Sequence, residues 1–108
     1  MNFERLAGEI GFEKEDYMEL IELFISTTTS DIDKLKIAIS NGDFNMVERA
    51  AHSIKGAASG MGLTEISSEA KKIEYAAKEG KGTVTALSAD ELEILLNIIR
   101  ESYKAYKG

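Results

Sequence analysis

Apolar residues recur at alternating steps of three and four along most of this chain, and no proline interrupts them. That spacing gives each helix one apolar stripe and a polar opposite face. Residues 2–10 place Phe3, Leu6 and Ile10 on one side and stop at Gly11, where a C-terminal glycine is expected. Residues 14–40 carry Tyr17, Leu20, Ile21, Phe24, Thr28, Ile32, Leu35 and Ile39 on one face. The run Ser26-Thr27-Thr28-Thr29-Ser30 is poor in helix propensity and reads as a tolerated polar patch in a long helix. Asn41-Gly42-Asp43 stops that helix; its flanks have helical period rather than alternation, so Gly42 is a cap and Asp43 the N-cap of the next helix.

The third helix carries Phe44, Val47, Ala51, Ile54, Ala58 and Met61. Gly62 interrupts the pattern, which Leu63, Ile66, Ala70, Ile73 and Ala77 resume in a fourth helix ending near Gly80. Residues 81–87 read as a less regular link. Ser88 with Glu91 three residues later reads as a capping box opening a last helix through Leu92, Leu95, Leu96, Ile99, Tyr103 and Tyr106. Four long helices with one apolar face each, joined by short connections, pack most economically as an all-α, antiparallel up-down-up-down four-helix bundle, with the short first helix across one end. At 108 residues the chain is expected to be a single domain, residues 1–108.

The chain has one histidine, His52, and it lies off the third helix's stripe. At about 100° per residue the stripe's centre is roughly 140° around the helix, so His52 faces water. Its face is shared by Glu48 and Arg49 before it, and by Lys55, Gly56 and then Ser59 after it. Gly56 and Gly60 each cost the helix roughly 1 kcal/mol relative to alanine. Either close helix packing requires them or a bare patch beside His52 admits another protein. Lys55, one turn from His52, can neutralise an anion attached to the imidazole.

An exposed imidazole next to a cation suits in-line attack on a phosphoryl group. Histidine ordinarily titrates at about pH 6.5, so a solvated ring near pH 7 offers a lone pair without a dedicated base. Phosphoryl transfer otherwise needs positioning and charge neutralisation, usually from a metal and a lysine. This chain holds only part of that apparatus, and a partner must bring the rest.

The run Ala51-His52-Ser53-Ile54-Lys55-Gly56-Ala57-Ala58-Ser59-Gly60-Met61-Gly62-Leu63 resembles the motif of histidine-containing phosphotransfer (HPt) domains, and the order of helices from about Glu13 to Tyr106 resembles them too. The resemblance implies that His52 is the phosphorylated residue, Lys55 the phosphate-neutralising neighbour, Gly56 the clearance for a receiver domain and Gly62 the turn into the next helix. It implies Arg49 and Ser59 as docking or supporting residues; a docking face on the second and third helices is expected to include Gly60 as well, with Leu63 and residues near Gly11 and Phe12 as apolar rim contacts. The implied function is a phosphorelay intermediate of two-component signalling, with response-regulator receivers, and a hybrid histidine kinase as a further candidate, for partners. No cofactor is expected on this chain; Mg²⁺ is expected on the receiver. Two alternatives stand beside it: the phosphoacceptor domain of a chemotaxis-type kinase, and a helical adaptor without chemistry.

Composition removes several other classes. The chain is too short to add a nucleotide-binding kinase module to a helical bundle, so it is not expected to make its own phosphohistidine. Gly80-Lys81-Gly82-Thr83 lacks the spacing of a phosphate-binding loop and reads as a turn. With no cysteine and one histidine, a structural zinc site is excluded, and a reducing cytoplasm is the expected compartment. No stretch is apolar enough to span a membrane, and Met1-Asn2-Phe3-Glu4-Arg5 does not read as a signal peptide. A net charge of -6 argues against nucleic acid. An exposed site of this kind needs only a monomer.

Overall fold

A computed structural model describes residues 1–107; Gly108, the end of the expected domain, lies outside the described residues. Five helices follow one another: α1 (Phe3–Glu9), α2 (Lys14–Ser40), α3 (Phe44–Gly60), α4 (Thr64–Lys78) and α5 (Gly82–Lys107). Helix α2 packs on α3, α3 on α4, α4 on α5, and α5 back on α2, which closes a four-membered ring. Consecutive members of that ring are joined by residues 41–43, 61–63 and 79–81. Links of three residues reverse the chain, so neighbours run antiparallel.

The caps follow from residue type. The Asn2 side chain accepts from the Arg5 backbone N–H at 3.0 Å, and that of Asp43 accepts from Met46 N–H at 3.2 Å. Gly62, with φ of +72°, carries the chain out of α3 in a backbone conformation that side chains disfavour. Through its serine and threonine run α2 stays helical, and Thr29 Oγ1 donates back to the Ile25 carbonyl at 2.6 Å.

One core fills the ring. Tyr17, Ile21, Leu35, Val47, Ile54, Ile66, Ile73 and Leu92 are its large fully buried side chains, taken from all four ring helices. Each aliphatic member adds about 1.5–3 kcal/mol by leaving water, so Ile54→Ala is expected to cost about 2–5 kcal/mol. Tyr17 OH donates to the Met61 carbonyl at 2.7 Å, tying the start of α2 to the end of α3. Burial, with a lesser push from Glu9, raises that phenol to about 12. Helix α1 buries Phe3 and Ala7 and packs on α2, and the Phe3 ring meets Tyr106 of α5 edge-on.

Two expectations are corrected. Residues 82–87 belong to α5 rather than to an irregular link, and Ser88 is a buried interior residue, not an N-cap. Thr85 explains the difference: its side chain is buried, and its backbone N–H and Oγ1 both bond the Lys81 carbonyl. Tertiary packing thus overrides the low helix propensity of Thr83-Val84-Thr85. Leu63, expected on a docking rim, is 5% exposed and sits in the core. The chain turns inward after Gly62, which carries Leu63 beneath the surface.

Candidate functional site

Burial of Val47, Ala51, Ile54 and Ala58 fixes the rotation of α3. His52 is turned out as a result, with 69% of its side chain exposed. Arg49, Gly56, Ser59 and Gly60 are exposed on α3 as well, and Lys55 is half-buried. A Cβ added at Gly56 or Gly60 would meet no atom within 4 Å. Packing inside this chain therefore does not demand glycine at either position. Gly11 and Phe12 are exposed at the α1–α2 turn.

The sequence reading missed a third partner, Glu74. Helix α4 buries Ile66, Ala70, Ile73 and Ala77, and Glu74 falls on that same face, four residues after Ala70 and three before Ala77. Its side chain is only 8% exposed, and its two oxygens are divided between two residues of α3. Oε2 lies 2.7 Å from His52 Nδ1, and Oε1 accepts from Lys55 Nζ at 2.7 Å. An acidic residue inside an apolar three-four repeat is the signal that could have found it, because a buried carboxylate needs partners.

The electrostatics follow from these contacts. The hydrogen bond from Lys55 holds the Glu74 carboxyl below the usual glutamate range; burial pushes the other way, and the His52 hydrogen bond reinforces the lowering. An ionised carboxylate can only accept. The short contact therefore assigns a proton to His52 Nδ1, which donates, and in the neutral ring this places the lone pair on Nε2, across the ring from the buried side.

Other polar groups brace the same interface. Ser59 Oγ and Ser67 Oγ share a hydrogen bond at 2.7 Å, and Ser67 also reaches the Lys55 carbonyl at 3.4 Å. Ser59, expected at a docking face, is thus also a clasp between α3 and α4. Lys78 of α4 and Glu48 of α3 approach at 3.9 Å on the surface. Among the described residues no cluster of histidine, aspartate and glutamate is arranged to hold a metal ion, and no helix is long and apolar enough to cross a membrane.

A four-helix bundle presenting one exposed histidine, with a lysine one turn on and a bare helix face beside it, has the form of a histidine phosphotransfer domain. The model of the Hpt domain family matches residues 19–102, and the chain belongs to that family, whose members work with receiver domains in phosphorelays. Among solved structures, histidine-containing phosphotransfer protein B from Pseudomonas aeruginosa PAO1 is similar in fold, with a TM-score of 0.85 over 98% of this chain and 92% of that chain at 24% identity. No curated protein matches the chain significantly.

Proposed function

We propose that this chain is a phosphorelay intermediate that takes a phosphoryl group from the aspartyl phosphate of one receiver onto His52 and passes it to the aspartate of another. The observation that carries this reading is the exposed His52 ring with its Nδ1 held 2.7 Å from the carboxylate of buried Glu74. With Nδ1 occupied, Nε2 is the nucleophilic atom. The imidazole sits on a rigid helix whose rotation is fixed by core packing, so the ring needs little reorganisation before in-line attack.

Lys55 provides positive charge one turn from the nucleophile, where it can offset the phosphoryl oxygens. Gly56 and Gly60 keep side chains off the approach, and Arg49 stands beside it as a surface cation for docking. A divalent cation bound by the receiver would add charge neutralisation on the transferring group. All of this chain's contribution lies within one copy, so a monomer is sufficient.

The test is direct. The protein is incubated with a panel of purified receivers phosphorylated on aspartate, and separately with ATP and the catalytic domain of a chemotaxis-type kinase. Acid-labile phosphate on His52 from a receiver, and its onward transfer to a second receiver, is the expected result. Phosphorylation by the kinase domain alone would replace the donor, and no phosphohistidine from any source would remove the reading.

A further inference from the structure

Helix α5 carries two apolar stripes. Leu92, Leu96 and Ile99 enter the core, whereas Leu87, Ile94 and Ile98 sit roughly 150° around the helix from them and within about 40° of one another. Each of these three is more than half exposed. Spacings of seven and four keep them in line along about 16 Å of helix.

The surface beside them is shaped by α4. Two clefts, of about 320 and 300 Å³, open along the α4–α5 seam and share Thr64, Glu65 and Leu95. Leu6, Leu95, Ile98 and Ile99 give the first an apolar floor, and Glu65, Glu69 and Glu91 edge the second. Ile98 belongs to both the stripe and the first cleft, so stripe and clefts form one groove. Its rim is acidic on both sides, with Glu65 and Glu91 toward α4 and Asp90 across the stripe. Glu69 has Lys72 at 3.0 Å, and Glu101 has Lys104 at 3.4 Å. Among the described residues Glu65, Asp90 and Glu91 are exposed and have no cation of their own. Arg5, which lines the first cleft, is itself paired with Glu9 at 3.5 Å.

These charges select among occupants. A second copy would match the stripe, antiparallel, by placing Ile94 on Ile98, but that register sets Glu91 of one copy level with Glu101 of the other, between chains of net charge -6 each. An anionic lipid surface meets the same repulsion. Unpaired carboxylates flanking an apolar strip are complementary to cations flanking one. We propose that the α4–α5 groove docks a basic amphipathic helix of another protein, which lays its apolar face on Ile94, Leu95 and Ile98 and sets lysine or arginine against Glu65, Asp90 and Glu91. About three turns of helix match the length of the stripe. Glu74 lies on the edge of α4 that meets α3, and Glu65 and Glu69 on the edge that meets α5, so α4 stands between the groove and His52. The docked helix therefore leaves His52 open, and the proposal stands apart from the relay reading.

The probe is a synthetic, fluorescein-labelled amphipathic peptide of about 15 residues, with leucines at three-four spacing and lysines on both flanks. Anisotropy at roughly 0.1 M salt reads its binding to the full chain, and ¹H–¹⁵N NMR maps it. A scrambled peptide of the same composition is the control. Wild type is expected to bind the amphipathic peptide about tenfold more tightly than the scrambled one, with amide shifts on residues 65–69 and 87–98 and none at Lys55 or Gly56. Ile98→Ser is expected to weaken binding by about tenfold. Glu91→Lys is expected to weaken it severalfold at roughly 0.1 M salt and by less at roughly 1 M. Glu19→Lys, the same change of charge on an exposed position of α2 across the ring from α4, is expected to stay within about twofold of wild type. Circular dichroism checks that each variant is folded, and Leu87→Ser replaces Ile98→Ser if that one is not. Equal binding of the two peptides, or equal weakening by Glu91→Lys and Glu19→Lys, leaves only general attraction to an acidic chain and overturns the proposal. Absence of binding does the same. Sedimentation equilibrium of the protein alone completes the test: a monomer is expected, and a dimer that Ile98→Ser disperses assigns the face to a second copy and overturns the proposal too.

Discussion

Two faces of the bundle are bridged by polar side chains, and they differ in how much water reaches the bridge. Across α2 and α5, Lys36 pairs with Glu93, Arg100 reaches Thr29 Oγ1 at 2.8 Å, and Tyr103 OH donates to Glu22 at 2.9 Å. Lys36 and Glu93 keep 41% and 45% of their side chains exposed. Across α3 and α4 the bridge runs through Glu74, whose side chain is 8% exposed. Solvent competes for every contact on the first face and screens it. On the second, an ionised carboxylate has only His52 and Lys55 to satisfy it, so it dictates where a proton sits. Similar residue types give surface decoration in one place and a chemical device in the other.

The sharpest way to break that contrast is to remove one residue from each face. His52→Gln is expected to abolish phosphoryl uptake while shifting the melting temperature by little, since a largely exposed side chain adds little to the core. Arg100→Ala on the other face is expected to leave uptake near that of wild type. Radiolabel transfer and a thermal melt read both, and an unfolded His52→Gln would contradict the exposure of the ring.

Coupling energies come next. A double-mutant cycle on Lys55 and Glu74, followed by chemical denaturation, is expected to give about 1.5–3 kcal/mol, the range for a hydrogen bond to a charged group. A cycle of equal value on Lys36 and Glu93 would erase the distinction.

The pH dependence separates the faces by sign. Glu74 is held below the usual glutamate range, first by Lys55. Its contribution to stability is therefore present above that range and lost as pH falls through the lowered value. Tyrosines of the other faces act at the opposite end. Burial raises Tyr17 from 10.0 to about 12, so its contribution is present below pH 10 and lost as pH rises through about 12. Tyr103 is raised in the same direction by desolvation and then by Glu22. Denaturation followed across pH should show Glu74→Gln flattening the acid limb alone and Tyr17→Phe the alkaline limb alone.

Smaller effects refine the picture. Gly56→Ala is expected to stabilise the protein by up to about 1 kcal/mol, because helix propensity improves and the added Cβ meets nothing. A bulky residue there, such as Gly56→Gln, should slow exchange with receivers while leaving phosphorylation by phosphoramidate unchanged. The smallest value is expected for the Lys36–Glu93 cycle, about 0.2–1 kcal/mol.

Most of the fold was legible because the apolar stripe and the caps agree. The helix boundaries at Gly11, Gly42 and Gly62 follow from local residue choice, and the exposure of His52 follows from the rotation that Val47, Ala51, Ile54 and Ala58 impose. The start of α5 was not legible, since Thr85 and Ser88 are held in a helix by burial that propensity does not encode. Leu63 was misplaced because a turn residue's direction depends on the chain's path after Gly62. Within the site, Lys55 and Gly56 were legible as neighbours of His52 on one helix. Glu74 was not, because its partners lie 22 and 19 positions away and meet it only when α3 and α4 pack.

The most direct measurement is the ¹⁵N and ³¹P NMR spectrum of the protein after incubation with a phosphorylated receiver. The account predicts one new N–P bond, on His52 Nε2, with a proton retained on Nδ1. A phosphoryl group on Nδ1, or no phosphohistidine at all, would contradict it.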